Sequence, residues 1–238
     1  MYKLPQSARE FVLFQRTELL PKRRVSLIAR ILQRTPFGKN NYNEWIKSIA
    51  CNSDYDIETR YFSDMEKLAS KIALHLPPQV KSILDIGCGI AALDIFLDKL
   101  VSPEKIFLLD KTHTEQKVWY MFKEKGAFYN SLDLARETLV LNGVSPSKVE
   151  LVTAPNDGLI PLDADSIDVI ISTISWGFHY PIKFYIESVH KLLRSDGILI
   201  VDIRKDSGGF DELGKLFEVT VIDDYSKFQK VKCIKKIL

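Results

Sequence analysis

Residues 82–92 read Ser-Ile-Leu-Asp-Ile-Gly-Cys-Gly-Ile-Ala-Ala, an apolar run that passes through small residues into a second apolar stretch. Gly87 and Gly89 let the backbone reverse sharply and approach a ligand closely, and small Ala92 lets the following helix press against the strand. Amides at the start of such a helix point outward and suit a polar or anionic ligand. Asp110 ends the next apolar run, 21 residues after Gly89, where a carboxylate can bind both hydroxyls of a ribose. A glycine pair alone specifies little. A strand, a glycine turn, a helix and an acid closing the neighbouring strand together predict a nucleoside site.

A second cluster spans residues 172–181, Ser-Thr-Ile-Ser-Trp-Gly-Phe-His-Tyr-Pro. The imidazole of His179 titrates near neutral pH and can take a proton from an acceptor hydroxyl. Trp176, Phe178 and Tyr180 could exclude water or stack on an acceptor ring, or simply fill core. His113 is a second candidate base. It belongs to a long connection, residues 111–130, that also carries Trp119, Tyr120, Phe122, Phe128 and Tyr129. Connections of this length often serve as lids, and with Tyr61 and Phe62 this one is expected to shape an acceptor pocket. Arg204, followed by Lys205, could bind an anionic acceptor group or stand as a solvated cation.

These residues need a scaffold, and the hydropathy pattern supplies one. Strands are predicted at 82–86, 105–109, 149–153, 167–172, 197–203, 217–222 and 228–235, with helices at 91–100, 131–142, 180–193 and 210–216. Such alternation predicts an α/β fold, a mostly parallel sheet with helices on both faces. Residues 223–226 are too few for a crossover helix, so the last two strands form an antiparallel hairpin. Lys227, Lys230, Lys232, Lys235 and Lys236 punctuate the final strand as lysines on a sheet edge do. Upstream, Pro21, Pro36 and Gly38-Lys39-Asn40-Asn41 divide the chain into short helical pieces, and Pro77-Pro78 marks a stop. Ser63 with Glu66 three residues later reads as a capping box opening a helix through Leu68, Ile72, Leu74 and Leu76. The division expected is a helical N-terminal extension, 1–77, and a catalytic domain, 78–238.

Leu84-Asp85-Ile86-Gly87-Cys88-Gly89 resembles the first motif of the class I S-adenosylmethionine-dependent methyltransferases. The resemblance covers about residues 81–236, includes the closing hairpin, and implies a Rossmann-like seven-stranded sheet. It also implies S-adenosyl-L-methionine as cofactor and S-adenosyl-L-homocysteine as product. Asp85 then helps bind the methionine part over Gly87, Cys88 and Gly89, while Asp110 and Lys111 lie at the ribose. By register Asn156, with Asp157 second, reads the adenine amino group, and Ser172 closes the site at the end of the fourth strand. Residues 160–168 resemble the family's link into that strand. A dinucleotide oxidoreductase would carry its glycine motif nearer the N-terminus without an acid just before it.

Enzymes of this family that act on exocyclic amines commonly carry an Asn-Pro-Pro-Tyr-like sequence after the fourth strand, and none stands here. Ser-Trp-Gly-Phe-His-Tyr-Pro instead resembles bacterial sugar O-methyltransferases. The expectation is therefore O-methylation of a small molecule or of a sugar or glycan hydroxyl by direct displacement. An RNA- or protein-directed methyltransferase and a catalytically silent cofactor-binding module stand as alternatives.

The chain has 238 residues, 46% of them hydrophobic, enough for one sizeable core with an appendage. A net charge of +2 does not by itself point to a polyanion. Lys22, Arg23, Arg24, Arg30 and Arg34 alternate with Val25, Leu27, Ile28, Ile31 and Leu32, a basic amphipathic helix suited to a membrane surface, a subunit or its own domain. Nucleic acid is the less expected partner. No run reaches the roughly 18–20 apolar residues of a membrane span, so a cytoplasmic location is expected. Cys51, Cys88 and Cys233 lack any C-x-x-C spacing, and Asp163, Asp165 and Asp168 read as a turn, so no metal is expected.

Overall fold

Ser82–Ile86, strand β1, is buried at every position, as a strand covered on both faces must be. Around it the computed structural model, which describes residues 1–20, 36–52, 56–112 and 130–236, builds a seven-stranded sheet. Its other strands are β2 (Lys105–Asp110), β3 (Val149–Thr153), β4 (Ile167–Ser172), β6 (Leu193–Arg204), β7 (Phe217–Asp224) and β8 (Phe228–Lys235), while β5 (Ser175–Tyr180) stands outside the order β3-β2-β1-β4-β6-β8-β7. β1 pairs in parallel with β2 and β4, β2 with β3, and β4 with β6. β8 alone runs antiparallel, to β6 on one side and β7 on the other. The expected Rossmann-like topology with its closing hairpin is what forms.

The helices are α1 (Ala8–Gln15), α2 (Pro36–Cys51), α3 (Ile57–Ala73), α4 (Ala92–Val101), α5 (Leu132–Leu141), α6 (Ile186–Leu192) and α7 (Gly209–Leu216). Alternate strand residues divide the interior into two apolar layers. Ile83, Ile106, Val169 and Ile200 meet α3, α4 and α5 on one face, and Leu84, Ile170, Leu199 and Val201 meet α6 and α7 on the other. Leu4, Val12 and Leu13 from the first 20 residues share the first layer. In α3 the buried stripe Ile57, Tyr61, Met65, Ala69 and Ile72 follows helical spacing. No helix among the described residues is long and apolar enough to cross a membrane.

Several local expectations are corrected. α3 begins at Ile57, where the Asp56 carboxylate accepts from the Thr59 amide at 3.1 Å, so Ser63 lies inside the helix rather than at its cap. Asp56 wins because its side chain meets an amide that no preceding turn can satisfy. α2 runs through Gly38-Lys39-Asn40-Asn41, with Pro36 at its first position, where a missing N–H costs nothing. Residues 180–193 form a short 3-10 turn at Ile182–Phe184 before α6 instead of one helix.

The lysines of β8 are not on an edge, because β7 covers that side. Lys230 is buried and its Nζ lies 2.6 Å from Asp202 Oδ1, its register partner on β6. Asp202 also accepts from the Ile174 amide at 3.1 Å. Burial pushes the Asp202 carboxyl upward and Lys230 opposes that shift. Asp168 is structural too, accepting from the Lys81 and Ser82 amides at 2.8 Å and so fixing the start of β1. The basic stretch 22–34, His113 and the aromatic residues of the long connection lie outside the described residues.

Candidate nucleoside cleft

The turn after β1 is held by β2. Gly87 and Cys88 donate backbone bonds to the Leu109 carbonyl at 2.7 and 3.4 Å, and Gly87 adopts φ +79°. A side chain at Gly87 would collide with Ser175, whose Oγ would sit 1.9 Å from an added Cβ. At Gly89 an added Cβ would meet Gln15 Oε1 at 2.7 Å. The turn is thus bare backbone with a polar side chain resting on each glycine. Ala91 also takes a left-handed conformation, φ 56°, to start α4, which costs a residue with a Cβ roughly 1–2 kcal/mol.

Asp110 closes β2 beside this turn. Its Oδ2 accepts from the Gly89 amide at 2.9 Å and its Oδ1 from the Lys111 amide at 2.7 Å. Burial raises its carboxyl to about 6, and the Gly89 and Lys111 amides hold it from rising further. Next to it lies the buried Asn130, whose side chain joins the two amides in holding the Asp110 carboxyl down. Neither Asn130 side-chain atom reaches full hydrogen-bond geometry among the described residues, so the carboxamide keeps capacity for a ligand. Asn130 escaped the sequence reading because it sits at the end of a long connection without a motif.

A cleft of about 300 Å³ opens in front of the turn. Gly87, Asp110, Lys111, Asn156, Trp176 and Tyr180 line it, so six of the predicted residues do converge. Lys183, Phe184 and Tyr185 complete the far wall, from a stretch whose sequence suggested helix. Trp176 is fully buried, and its indole N–H donates to the Ile182 carbonyl at 3.0 Å, which fixes this wall. Asp157, by contrast, turns its carboxylate back onto the Leu159 amide at 3.0 Å. Ser172 is spent on structure: its hydroxyl donates to the Ile86 carbonyl at 2.8 Å and accepts from the Trp176 amide at 3.0 Å.

Phe178, His179 and Arg204 form a separate group beside the cleft. Phe178 packs edge-on against His179 at 4.8 Å between ring centres, and the Arg204 guanidinium stands 5.3 Å over the Phe178 ring. Burial, aided by Arg204, lowers the His179 imidazole to about 4, so it is uncharged at neutral pH. The segment that carries it is strand β5, where the sequence suggested a loop.

Behind the turn, on the α3 and α4 side, lie Asp85 and Tyr61. Tyr61 is buried, its hydroxyl pushed up to about 12 by desolvation, with Arg16, Cys88, Asp94 and Asp85 around it. The Cys88 thiol is likewise pushed upward by burial and by the three neighbouring acids. Asp85 faces Asp94, an acid inside the apolar start of α4 that the sequence reading passed over.

Comparison with known proteins adds the fold. No protein-family model and no curated protein matches the chain. Among solved structures, a Pyrococcus horikoshii protein aligns with TM-score 0.55 at 12% identity, over 74% of this chain and 91% of its own. A predicted O-methyltransferase of Agrobacterium tumefaciens aligns with TM-score 0.51 at 17% identity, over 72% and 80%. A precorrin-6y C5,15-methyltransferase of Geobacter metallireducens aligns with TM-score 0.50 at 16% identity, over 72% and 87%. The chain is similar to all three in fold.

Proposed function

We propose that this chain is an S-adenosyl-L-methionine-dependent methyltransferase. One observation carries the reading: Asp110, at the end of β2, shares the Gly89 amide of the glycine turn on the rim of the 300 Å³ cleft. That juxtaposition suits a ribose against a bare turn, and two of the fold neighbours carry methyltransferase names. The residues fit the cofactor in a second respect, since Asp85 Oδ1 and both Asp94 oxygens meet no donor in full hydrogen-bond geometry among the described residues.

In this reading Asp110 and Asn130 hold the ribose hydroxyls, Asn156 meets the adenine edge, and Trp176 and Tyr180 wall the base from water. Asp85 faces the amino-acid end. When bound, the cofactor supplies a methyl group already activated for displacement, so the protein's work is alignment and exclusion of water. The acceptor is a hydroxyl of a small molecule or glycan, a choice supported by the sequence after β4, which lacks the amine-gripping pattern. His179, uncharged at neutral pH, accepts the hydroxyl proton as the new bond forms, and Arg204 steadies an anionic acceptor group.

Calorimetry with S-adenosylhomocysteine and with NAD tests the cofactor, and binding of NAD alone would overturn it. Turnover of S-adenosylmethionine across sugars, phenols and RNA tests the acceptor. Turnover with RNA and none with hydroxylated small molecules would remove the finer part. His179→Ala is expected to lower kcat by about 100-fold or more at neutral pH; unchanged turnover would remove His179 from the mechanism.

A further inference from the structure

Asp94 lies in the first turn of α4 and is fully buried, and with only its own amide and Asp85 close by, neither carboxylate oxygen meets a donor in full hydrogen-bond geometry among the described residues. Asp85 Oδ1, across from it on β1, is in the same position. Two carboxylates in contact are both acceptors, so their contact is favourable only while one holds a proton. Burial raises both, Asp94 to about 7; Asp94 and Asp110 push Asp85 further up, while the contact with Asp85 and Asp94's own amide hold Asp94 down. The groups facing the pair from other elements are Tyr61 of α3, Cys88 of the turn and Arg16 just beyond α1. Arg16 is the cation among them, and it makes polar contacts with Met65 Sδ at 3.8 Å and Glu18 at 3.8 Å.

A buried acid pair without a counter-ion is destabilising unless something positive completes it. We propose that Asp94 acts with Asp85 as a receptor for the α-ammonium group at the amino-acid end of the cofactor, and that the pair gives up its shared proton when this cation arrives. The proton leaves the carboxyl pair for solvent, and the ammonium replaces it as hydrogen-bond donor. Gln15 and Ser175, which rest on the two glycines of the turn, move aside to admit the ligand. This rests on the cofactor reading above and extends it to a residue outside every motif. It also makes the amino-acid end the step at which binding responds to pH.

The test is calorimetry at pH 7 on the full chain in two buffers of different ionisation heat. S-adenosylhomocysteine is compared with 5′-methylthioadenosine, which keeps the adenosine and thioether but lacks the amino acid. The unchanged protein is expected to release a substantial fraction of a proton with the first ligand and none with the second. Asp94→Asn is expected to abolish that release and weaken S-adenosylhomocysteine by about tenfold, leaving 5′-methylthioadenosine within about twofold. Proton release that is absent in the unchanged protein, or equal for the two ligands, overturns the inference without any variant. Equal losses for both ligands in Asp94→Asn, or no loss, overturn it as well. If the unchanged chain binds neither ligand, the cofactor reading falls and this inference with it; if both bind without proton release, only this inference falls.

Discussion

Asp110 and Asp85 sit on adjacent strands, both buried, yet their oxygens live differently. Each oxygen of Asp110 already accepts a backbone amide, from Gly89 or Lys111. Asp85 looks instead at another acid, and its Oδ1 meets no donor among the described residues. The first acid is held rigid and keeps lone pairs for neutral hydroxyl donors. The second is held in tension until a cation or a proton satisfies it. On the proposed reading, the same side chain becomes a hydroxyl clamp or a cation receptor according to how many amides the neighbouring backbone aims at it.

The contrast can be broken hardest at the turn both acids share. Gly87→Ala places a methyl group where Ser175 Oγ stands and forces a left-handed conformation on a residue with a Cβ. Binding of S-adenosylhomocysteine is expected to fall by more than about 100-fold, roughly 2.7 kcal/mol or more. Near-normal affinity by calorimetry would mean that the ligand does not use this turn. Asp110→Ala comes next, with a loss of about 10- to 100-fold, equal for S-adenosylhomocysteine and 5′-methylthioadenosine because both carry the ribose. A loss confined to one ligand would blur the division between the two acids.

Stability sharpens the other side. The folded carboxyl of Asp94 lies near 7 and that of Asp110 near 6, both above their ordinary value of 3.8. Raised acids favour the fold when protonated, so their contribution is full below about pH 4 and is lost as pH rises through 6 to 7. Asp94→Leu is therefore expected to stabilise the ligand-free protein by about 1–3 kcal/mol at pH 7.5 and to flatten this pH dependence. A denaturant midpoint that falls in the variant would show that the acid stabilises the fold after all. The smallest effect belongs to Ala91→Gly, expected to add up to about 1 kcal/mol by relieving the left-handed alanine at the start of α4; an unchanged or lower midpoint would place that strain elsewhere.

Much of this was legible in the residues. The seven sheet strands announce themselves as apolar runs, and residues 223–226 are too short for anything but a hairpin. Gly87, Gly89 and Asp110 could be placed together because strand-turn-helix geometry fixes where they go. Asp94 could not, since one acid in an apolar helix reads as its solvent-facing side; only the packing of α3 across α4 decides that it is buried. Lys230 was hidden for a related reason. Its strand ends the pattern and so resembles an edge, while the order of strands in space puts it inside. β5 escaped because Gly177 and the aromatics around it suit a loop as well as an extended segment. Ser172 and Asp157 were plausible by position, but their hydrogen bonds run to the protein itself.

The placement of β8 between β6 and β7 has a consequence for how the molecule is assembled. Until residues 228–235 arrive, β7 has no strand to lie against and the carboxylate of Asp202 has no lysine. A shift of one residue along β6 would turn Lys230 to the opposite face of the sheet and abandon that acid inside. The ion pair thus acts as an alignment key for the last piece to be fitted. Cutting the strand away should leave a chain that collapses without settling into one arrangement, even though every residue lining the candidate cleft is still present.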